Sequence, residues 1–462
     1  MYMAINWKEI FIKTKDLAKA TVRKYSLFLL HLTPHQNIAQ TVLSYTILGT
    51  IVLSLPFMNR LPVSFIDNFF TAAAAVSTAG LQSVNFADSY TWLGKFVVLI
   101  LIQIGGLGYM TFSSFVYLSF SQRHRLRHHQ QESLSAEVSL PQTLDLSLFL
   151  RSAFIFTIIA ESIGAVFLFN YFRHHDYSIL NAAWYSIFHS ISAFCTAGYS
   201  LWNNSLETFV DSKTINIVIS ALALAGSMGF IVVTDVFNFI RRKTQAISLT
   251  TKIIVLATLL LLALGTVTLF ITSPGITWGE ACFQSIAAMT TSGFNTINVG
   301  FLSSCSLLIL IILMSIGGAP SGTAGGMKIT AFASVIAIMY TRLQMRTRVE
   351  ILGRRIPMMR LYAATSTFLL YTIFLLTSVF LLTWTEKLPF LQLLFESTAA
   401  LSTSGLSAGA TPELSWLGKL VIIGTMIIGR IGVLTFGIAL LNHDDDDDDE
   451  TPKSPRTEDL AV

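Results

Sequence analysis

The sequence predicts an all-α polytopic membrane protein in which four repeats of helix, re-entrant loop and helix surround one central axis. Apolar residues make up 53% of the 462 residues and charged residues 12%, about half the charged share of a typical soluble domain. Uncharged windows of more than 18 residues, such as 96–120 and 253–272, are typical of transmembrane helices. One short motif also recurs four times between such windows.

The basic residues set the expected orientation. Lys and Arg cluster in four segments, at 1–36, 122–144, 241–252 and 341–360, and are isolated elsewhere. Because cytoplasmic loops are enriched in Lys and Arg, we expect these segments and both termini to face the cytoplasm of a multi-pass protein in the cell (inner, plasma) membrane. No cleavable signal peptide is visible in the first 30 residues. Each unit between two basic segments must therefore begin and end on the same side.

The recurrent motif aligns on one glycine. Its copies are FTAAAAVSTAGL (70–81), FHSISAFCTAGY (188–199), FQSIAAMTTSGF (283–294) and FESTAALSTSGL (395–406). Phe stands ten residues before the glycine, Ala five before and Thr two before in every copy. The nine residues from Phe70 to Thr78 span about 13 Å as a helix, less than half of a ~30 Å hydrocarbon core. The motif is thus a re-entrant half-helix, and the fold has eight spanning helices and four half-helices.

The chain divides accordingly into six segments. We predict a cytoplasmic N-terminal segment (1–36), repeat 1 (37–121), repeat 2 (145–243), repeat 3 (249–341), repeat 4 (358–441) and a disordered acidic tail (442–462). The inner helix of each repeat is expected at about 92–120, 214–240, 303–340 and 415–441.

Four Thr-small-Gly turns around one axis predict a cation filter. Glycine allows successive carbonyls to face one side, and a ring of carbonyls replaces the hydration shell of a monovalent cation. A single copy would be ordinary small-residue helix packing; four copies in register favour helix–pore-loop–helix repeats around a pore. The predicted K⁺ filter residues are Thr78, Ala79, Gly80, Thr196, Ala197, Gly198, Thr291, Ser292, Gly293, Thr403, Ser404 and Gly405. No pattern indicates a transition-metal site, catalytic residues or a nucleic-acid partner, so we expect no enzyme.

At these motifs the chain, over roughly residues 37–441, resembles the K⁺ transporter superfamily of TrkH, KtrB and the fungal and plant HKT proteins. It looks most like KtrB-type members, because it lacks extra N-terminal membrane helices. The resemblance implies K⁺ uptake stimulated by Na⁺ as activator or coupling ion, no organic cofactor, a homodimer, and a cytoplasmic nucleotide-binding regulatory ring of the RCK (KtrA-like) type. In some plant relatives a serine at the first filter position goes with Na⁺ transport, so Gly80 indicates K⁺.

The third inner helix is interrupted by SIGGAPSGTAGGMKIT (315–330). Proline and several glycines must break the helix, and backbone freed in lipid is costly, so this loop is expected inside the pore. The resemblance implies an intramembrane gating loop at 315–328. Its predicted gating residues are Gly317, Gly318, Pro320, Ser321, Gly322, Thr323, Gly325, Gly326 and Lys328. A phosphate-binding loop is excluded because Met327 separates Gly326 from Lys328 and no strand precedes; a simply kinked helix is the alternative.

Arg430 is the remaining predicted gating residue. It occupies the position held by Gly106, Ser227 and Gly318 when the inner helices are aligned on IGGLG, AGSMG, IGGAP and IGRIG. A charge at that depth normally faces the bundle interior or water. The resembling family carries an arginine there, near the gating loop, which implies a barrier to ions. The alternative is an arginine that extends to the cytoplasmic face.

Several alternatives stay open at the level of sequence. Glu161 and Asp235 lie within predicted helices and suit either proton or Na⁺ sites or buried structural roles. The run HRLRHH (124–129) indicates a solvated cytoplasmic loop. Function is either K⁺ translocation or a K⁺/H⁺ or Na⁺ symport of the same superfamily; a membrane-embedded enzyme or receptor is favoured less, since it has no need for four equal carbonyl sources.

Overall fold

The computed structural model describes residues 32–108, 146–242 and 245–441, with side chains in the second range from Leu150. Predictions for residues 1–31, for the end of the first inner helix and the histidine-rich loop (109–145), and for the acidic tail (442–462) lie outside the described residues.

Sixteen α-helices form the described chain, with one small hairpin. They are α1 (Pro34–Leu53), α2 (Phe65–Val76), α3 (Phe86–Ser89), α4 (Trp92–Leu107), α5 (Leu146–His174), α6 (Ile179–Phe194), α7 (Lys213–Ser227), α8 (Phe230–Ile240), α9 (Leu249–Thr272), α10 (Trp278–Met289), α11 (Ser304–Ile316), α12 (Ile329–Leu343), α13 (Met358–Thr385), α14 (Phe390–Leu401), α15 (Trp416–Ile431) and α16 (Val433–Leu441). Strands β1 (Glu350–Ile351) and β2 (Arg354–Arg355) pair antiparallel between α12 and α13. The fold is mostly helical, as predicted.

The same order of elements occurs four times. A long outer helix (α1, α5, α9, α13) leads to a short half-helix (α2, α6, α10, α14), and an inner helix follows (α4, α7, α11, α15). Thr91, Ser212, Ser303 and Ser415 cap the inner helices, each accepting a hydrogen bond from the backbone three residues on. Such caps satisfy donors that a helix start leaves free, which fixes where each inner helix begins.

The core surrounds the half-helices, and the outer helices expose apolar faces. The phenylalanine that opens each motif, at 70, 188, 283 and 395, is buried. By contrast, long rows of Ile, Leu and Phe on α5, α9 and α13 are exposed, as in Ile163, Leu260 and Leu376. Exposed apolar surface of this extent suits lipid. Within the described ranges three helices, Leu150–His174, Leu249–Thr272 and Met358–Thr385, are long and apolar enough to cross a membrane, or five if two bent pairs count as spans.

The inner helices break, which the sequence reading missed. We predicted unbroken helices at 214–240 and 415–441; instead α7 and α8 meet at 91°, and α15 and α16 at 96°. Gly229 (φ 82°, ψ 147°) and Gly432 (φ 91°, ψ 129°) make these breaks, and α4 ends at Gly108 (φ 84°, ψ 125°). Glycine adopts this left-handed backbone without steric cost and so ends each helix.

The third repeat makes the same break with a different residue. Lys328, which directly precedes α12, has φ 76° and ψ 131°, close to the three glycines. The Ile329 amide donates to the Gly318 carbonyl over 3.0 Å, so the chain returns to the point where it left. The segment Pro320–Met327 is therefore an insertion into a repeat that otherwise keeps the common geometry.

Candidate functional site

Each half-helix ends in the same left-handed turn. The motif threonines adopt φ values of 50–54° (Thr78, Thr196, Thr291, Thr403). Each threonine amide donates to the alanine five residues before the glycine, and the next residue donates five positions back, as from Ala79 to Ala74 over 2.8 Å. This is a Schellman cap with threonine where glycine is usual. The four copies of the motif therefore share one backbone turn.

The four turns close into a ring. A Cβ on Gly80 would overlap the carbonyl oxygen of Ala197, and one on Gly198 that of Ser292. The same relation joins Gly293 to Ser404 and Gly405 to Ala79, so the contacts run from repeat 1 through 2, 3 and 4 back to 1. All four glycines have φ between 66° and 78°. A side chain there is strained and also collides with a neighbouring carbonyl.

A polar cavity lies on one side of this ring and is called the vestibule below. The four filter glycines form its floor. Its wall side chains include Gln82, Asn85, Asn203, Asn204, Ser205, Glu207, Asn295, Asn298 and Ser407. Amide oxygens and a single carboxylate suit a hydrated cation, since they offer acceptors at the entrance to a ring of carbonyls.

The interrupted segment lies against the opposite side of the ring. The Thr323 hydroxyl donates to the Phe194 carbonyl over 3.0 Å and lies 3.3 Å from the Thr196 hydroxyl. The Gly325 amide donates to the Thr291 hydroxyl over 2.9 Å, and a Cβ at Gly325 would overlap Thr403. The loop thus contacts the filter threonines of repeats 2, 3 and 4.

Arg430 contacts the filter threonine of repeat 1. Its Nη1 donates to the Thr78 hydroxyl over 3.2 Å and to the Thr323 carbonyl over 3.1 Å, and its Nη2 donates to the Gly105 carbonyl. A side chain that extended to the cytoplasmic face would make none of these contacts. Together Arg430 and the loop reach all four filter threonines.

The loop has a narrow neck and a second anchor. Gly317 and Gly326, both with positive φ, pack against each other so closely that neither admits a Cβ. The Met327 amide donates to the Ser315 carbonyl over 3.0 Å. Half-buried Lys328 donates from Nζ to the Ala324 carbonyl. These contacts hold the loop as a closed excursion, which a simply kinked helix would not form.

The remaining loop residues contact the break between α7 and α8. The Ala319 amide donates to the Ser227 carbonyl over 2.9 Å, and the Thr323 amide to the Gly226 carbonyl over 3.0 Å. The other predicted gating residues also form backbone hydrogen bonds: the Gly318 and Ser321 carbonyls accept from the amides of Ile329 and Phe230, and the Gly322 amide donates to the Ala319 carbonyl. Pro320 packs with its carbonyl against Gly229. The loop therefore joins the second, third and fourth repeats.

The sequence reading missed a column of polar residues one position after the motif phenylalanine. Its members are Thr71, His189, Gln284 and Glu396. Glu396 is fully buried and accepts hydrogen bonds from the Ser407 hydroxyl over 2.7 Å and the Ala408 amide over 2.9 Å. The alignment of the four motifs could have revealed this polar column, but the four side chains at that position all differ, so the shared polarity was not recognised.

Two charged side chains left open by the sequence are now placed. Asp235 accepts from the Ser248 amide over 2.9 Å, beside the start of α9. Glu161 lies near Gln103 (3.3 Å from Nε2) and Cys195 (3.9 Å from Sγ), behind the second filter turn. Among the described residues, no group of three or more His, Cys, Asp or Glu could hold a metal ion.

Both the sequence and the fold are similar to those of known proteins. Residues 7–447 match the model of a family described as TrkH, cation transport protein. The chain is 36% identical over 418 residues to the Ktr system potassium uptake protein B of Bacillus subtilis, covering 87% of this chain and 92% of that one. It is 34% identical to the protein of the same name from Vibrio alginolyticus (85% and 88% covered). It is 33% identical to the potassium/sodium uptake protein NtpJ of Enterococcus hirae (92% and 95%).

A solved structure has the same fold. The potassium transporter TrkH from Vibrio parahaemolyticus superposes with a TM-score of 0.67 at 21% identity, covering 89% of this chain and 86% of that one.

Proposed function

The chain belongs to the TrkH family of cation transport proteins, and from that premise we propose that it takes up K⁺ through the ring of four filter turns. It is a multi-pass membrane protein of a transporter family. Relatives that share a third of its residues over most of their length are named potassium uptake proteins. We propose the family's four helix–pore-loop–helix repeats, with eight spans and four half-helices, as its membrane arrangement.

The closed ring of glycines and carbonyls carries this proposal. Each filter glycine lies against a carbonyl of the next repeat, so the ring is a continuous source of oxygens around one axis. Such a ring substitutes for the water around a monovalent cation. The half-helices α2, α6, α10 and α14 all end at this ring, and their negative ends favour a cation there. The Thr-small-Gly turns are accordingly proposed as the selectivity filter.

Gating is proposed for the loop and Arg430. The insertion Pro320–Met327 carries few apolar side chains, so its withdrawal breaks little packing. Thr323 and Gly325 each share one hydrogen bond with a filter threonine, Thr196 and Thr291, and a second arrangement of the loop would exchange these bonds. Arg430 supplies a positive charge and bonds to the loop carbonyl of Thr323, which favours the arrangement across the pore.

The names of the relatives bear on partners and coupling. "Ktr system" describes a system of components, so we propose that this chain is the membrane subunit and acts with a cytoplasmic nucleotide-binding ring of the RCK type. We further propose a homodimer with both termini in the cytoplasm. The name potassium/sodium uptake protein supports a role for Na⁺ as activator or coupling ion. Coupled symport with Na⁺ or H⁺ is the second candidate, and we propose no enzymatic activity.

Uptake of ⁸⁶Rb⁺ in bacteria that lack their own K⁺ uptake tests the proposal. Cells that express the chain should accumulate ⁸⁶Rb⁺, with competition by K⁺ stronger than by Na⁺, and faster uptake when Na⁺ is added. Purified protein in liposomes should carry the flux alone. A flux that needs an inward Na⁺ or H⁺ gradient would favour symport, and no flux in folded protein would contradict the proposal.

A further inference from the structure

The chain that follows each filter glycine is called the outer segment here. In repeat 4 the outer segment is hydrogen-bonded to the half-helix α14. Glu396 of α14 accepts from the Ser407 hydroxyl and the Ala408 amide, two and three residues after Gly405. Glu396 also accepts from the Ala410 amide and the Thr411 hydroxyl. One buried carboxylate therefore fixes the whole turn to its own half-helix.

Repeats 1 and 2 have equivalent braces of other chemistry. In repeat 2, His189 Nε2 accepts from the Leu201 amide over 3.3 Å and lies 3.3 Å from the Ser200 hydroxyl, at the same two positions after the glycine. In repeat 1 the Ser83 hydroxyl, three residues after the glycine, donates to Asp67 of α2 over 2.8 Å. Asp67 is held in turn by Lys419. Three of the four outer segments are thus tied to their own half-helix.

Repeat 3 lacks this brace. Gln284 occupies the position of His189 and Glu396 and is completely buried, yet neither its amide oxygen nor its amide nitrogen has a partner among the residues the structure describes. The hydroxyl of Thr296, three residues after Gly293, is buried and also without a partner in that part of the chain.

The outer segment of repeat 3 is held instead by repeat 2. Asn295, two residues after Gly293, donates from its Nδ2 to Glu207 Oε1 over 3.0 Å. Its backbone amide donates to the Ser205 hydroxyl over 3.2 Å, and its carbonyl accepts from the Leu206 amide over 3.0 Å. Three consecutive residues of the loop after the second filter turn therefore form hydrogen bonds with Asn295, which follows the third filter turn.

We propose that Asn295 and Glu207 position the third filter turn and so help to set the discrimination between K⁺ and Na⁺, in place of the missing brace on α10. The inference rests on the proposed function and extends it to residues outside the Thr-small-Gly motif. Carbonyls select between two ions of similar size by their number and placement, so a small displacement of one turn changes the preference. Both side chains are positioning residues.

Glu207 has two separable effects, because it also lines the vestibule. Its Oε1 accepts the bond from Asn295, and its charge attracts any cation that enters. Glu207→Gln keeps an acceptor oxygen but removes the charge, whereas Glu207→Ala removes both. Glu207→Gln should lower the apparent affinities for K⁺ and Na⁺ equally and leave their ratio unchanged. Glu207→Ala should lower both affinities and also the K⁺/Na⁺ affinity ratio.

The experiment measures K⁺ and Na⁺ affinity by the salt-dependent thermal stabilisation of the purified protein, alongside ⁸⁶Rb⁺ uptake competed by each ion. Asn295→Ala and Glu207→Ala should each reduce the K⁺/Na⁺ affinity ratio by up to about tenfold, the size of effect that one lost hydrogen bond gives. Asn203→Ala is the matched control: it lines the same vestibule but bonds to Asp88 away from the filter, and should leave the ratio unchanged.

Gln284→Leu completes the test. Because it removes an unpaired buried amide, it should leave the K⁺/Na⁺ ratio unchanged without loss of thermal stability. A lowered ratio in Gln284→Leu would mean that Gln284 holds the turn after all and would overturn the inference, as would an unchanged ratio in folded Asn295→Ala. A wild-type protein with no preference for K⁺ would overturn the proposed function itself.

Discussion

The third and fourth repeats share a backbone plan and differ in how firmly they hold the filter. In repeat 4, Glu396 ties the outer segment to its own half-helix, and Arg430 bonds to the loop and to Thr78. In repeat 3, Gln284 has no partner among the described residues, and Pro320–Met327 is inserted into the inner helix. One repeat is fixed and the other carries the part proposed to move. Under the proposed gating, the difference places the mobile part of the pore in one of its four repeats.

Filling the third filter turn should have the largest effect. In Gly293→Ser the side chain meets the Ser404 carbonyl at a residue with φ 76°, and backbone strain plus overlap cost about 3 kcal/mol together. We expect K⁺ uptake to fall about 100-fold and discrimination against Na⁺ to relax. Gly279→Ser, in α10 of the same repeat, is the control, since its Cβ meets only the Thr277 hydroxyl at 3.8 Å. Wild-type affinity for both ions in Gly293→Ser would remove the filter assignment.

Removing the brace of repeat 4 should come next. Glu396→Ala leaves the donors of half-buried Ser407 and of buried Ala408 and Thr411 unpaired, which should lower the free energy of unfolding by about 3 kcal/mol. Thermal unfolding of the purified protein measures the loss. Gln284→Ala, at the same position of repeat 3, removes no bond within the described chain and should cost less, limited to lost packing. Equal losses in the two variants would break the contrast between the repeats.

Deleting the inserted loop tests repeat 3 as the moving part. Removal of Pro320–Met327 together with Lys328→Gly should convert the third inner helix into a bent pair like α7 and α8, not into a straight helix. If the loop stabilises the closed state of the pore over the open state by about 1.4 kcal/mol, its removal should raise the initial rate of K⁺ uptake at saturating K⁺ about tenfold. The K⁺/Na⁺ competition ratio should stay the same because the filter glycines are untouched. A folded variant that transports more slowly would make the loop part of the conduction path.

Neutralising Arg430 should give the smallest change. Arg430→Ala removes bonds to Thr78, Thr323 and Gly105 but leaves the loop's own anchors at Gly226 and Ser227. We expect the flux to rise about threefold and to depend less on the proposed regulatory subunit, since a net loss of about 0.7 kcal/mol is at the lower end of what a hydrogen bond contributes after exchange with water. The flux through Arg430→Lys should lie between that of the unsubstituted protein and that of Arg430→Ala, because lysine keeps the charge without the forked donors. An unchanged rate in folded protein would contradict the barrier role.

The sequence predicted the helical fold and the register of the motif because both rest on local patterns. The repeated Thr and Ala are visible in the chain, and in each copy they mark the same backbone turn. The inner-helix breaks were not predicted, since apolar residues continue on both sides of Gly229 and Gly432, and glycine is common within membrane helices.

Other features depend on contacts distant in sequence. Lys328 adopts a backbone usually left to glycine, and nothing in its neighbourhood predicts that. The bond from Asn295 to Glu207 joins residues 88 positions apart, and the partnerless state of Gln284 is visible only once the half-helix is packed. Such features follow from packing and not from local propensity.

The ring of filter turns has an order of assembly. Its last contacts join Gly405 to Ala79, and Lys419 to Asp67 across 352 positions of the chain. Because the ribosome makes the fourth repeat last, these contacts cannot form until nearly the whole protein has been synthesised. Until then the ring described above is incomplete. Under the proposed gating, a cell that builds this protein is spared an ungated pore during synthesis, since the quarter that closes the ring also brings Arg430 against the loop.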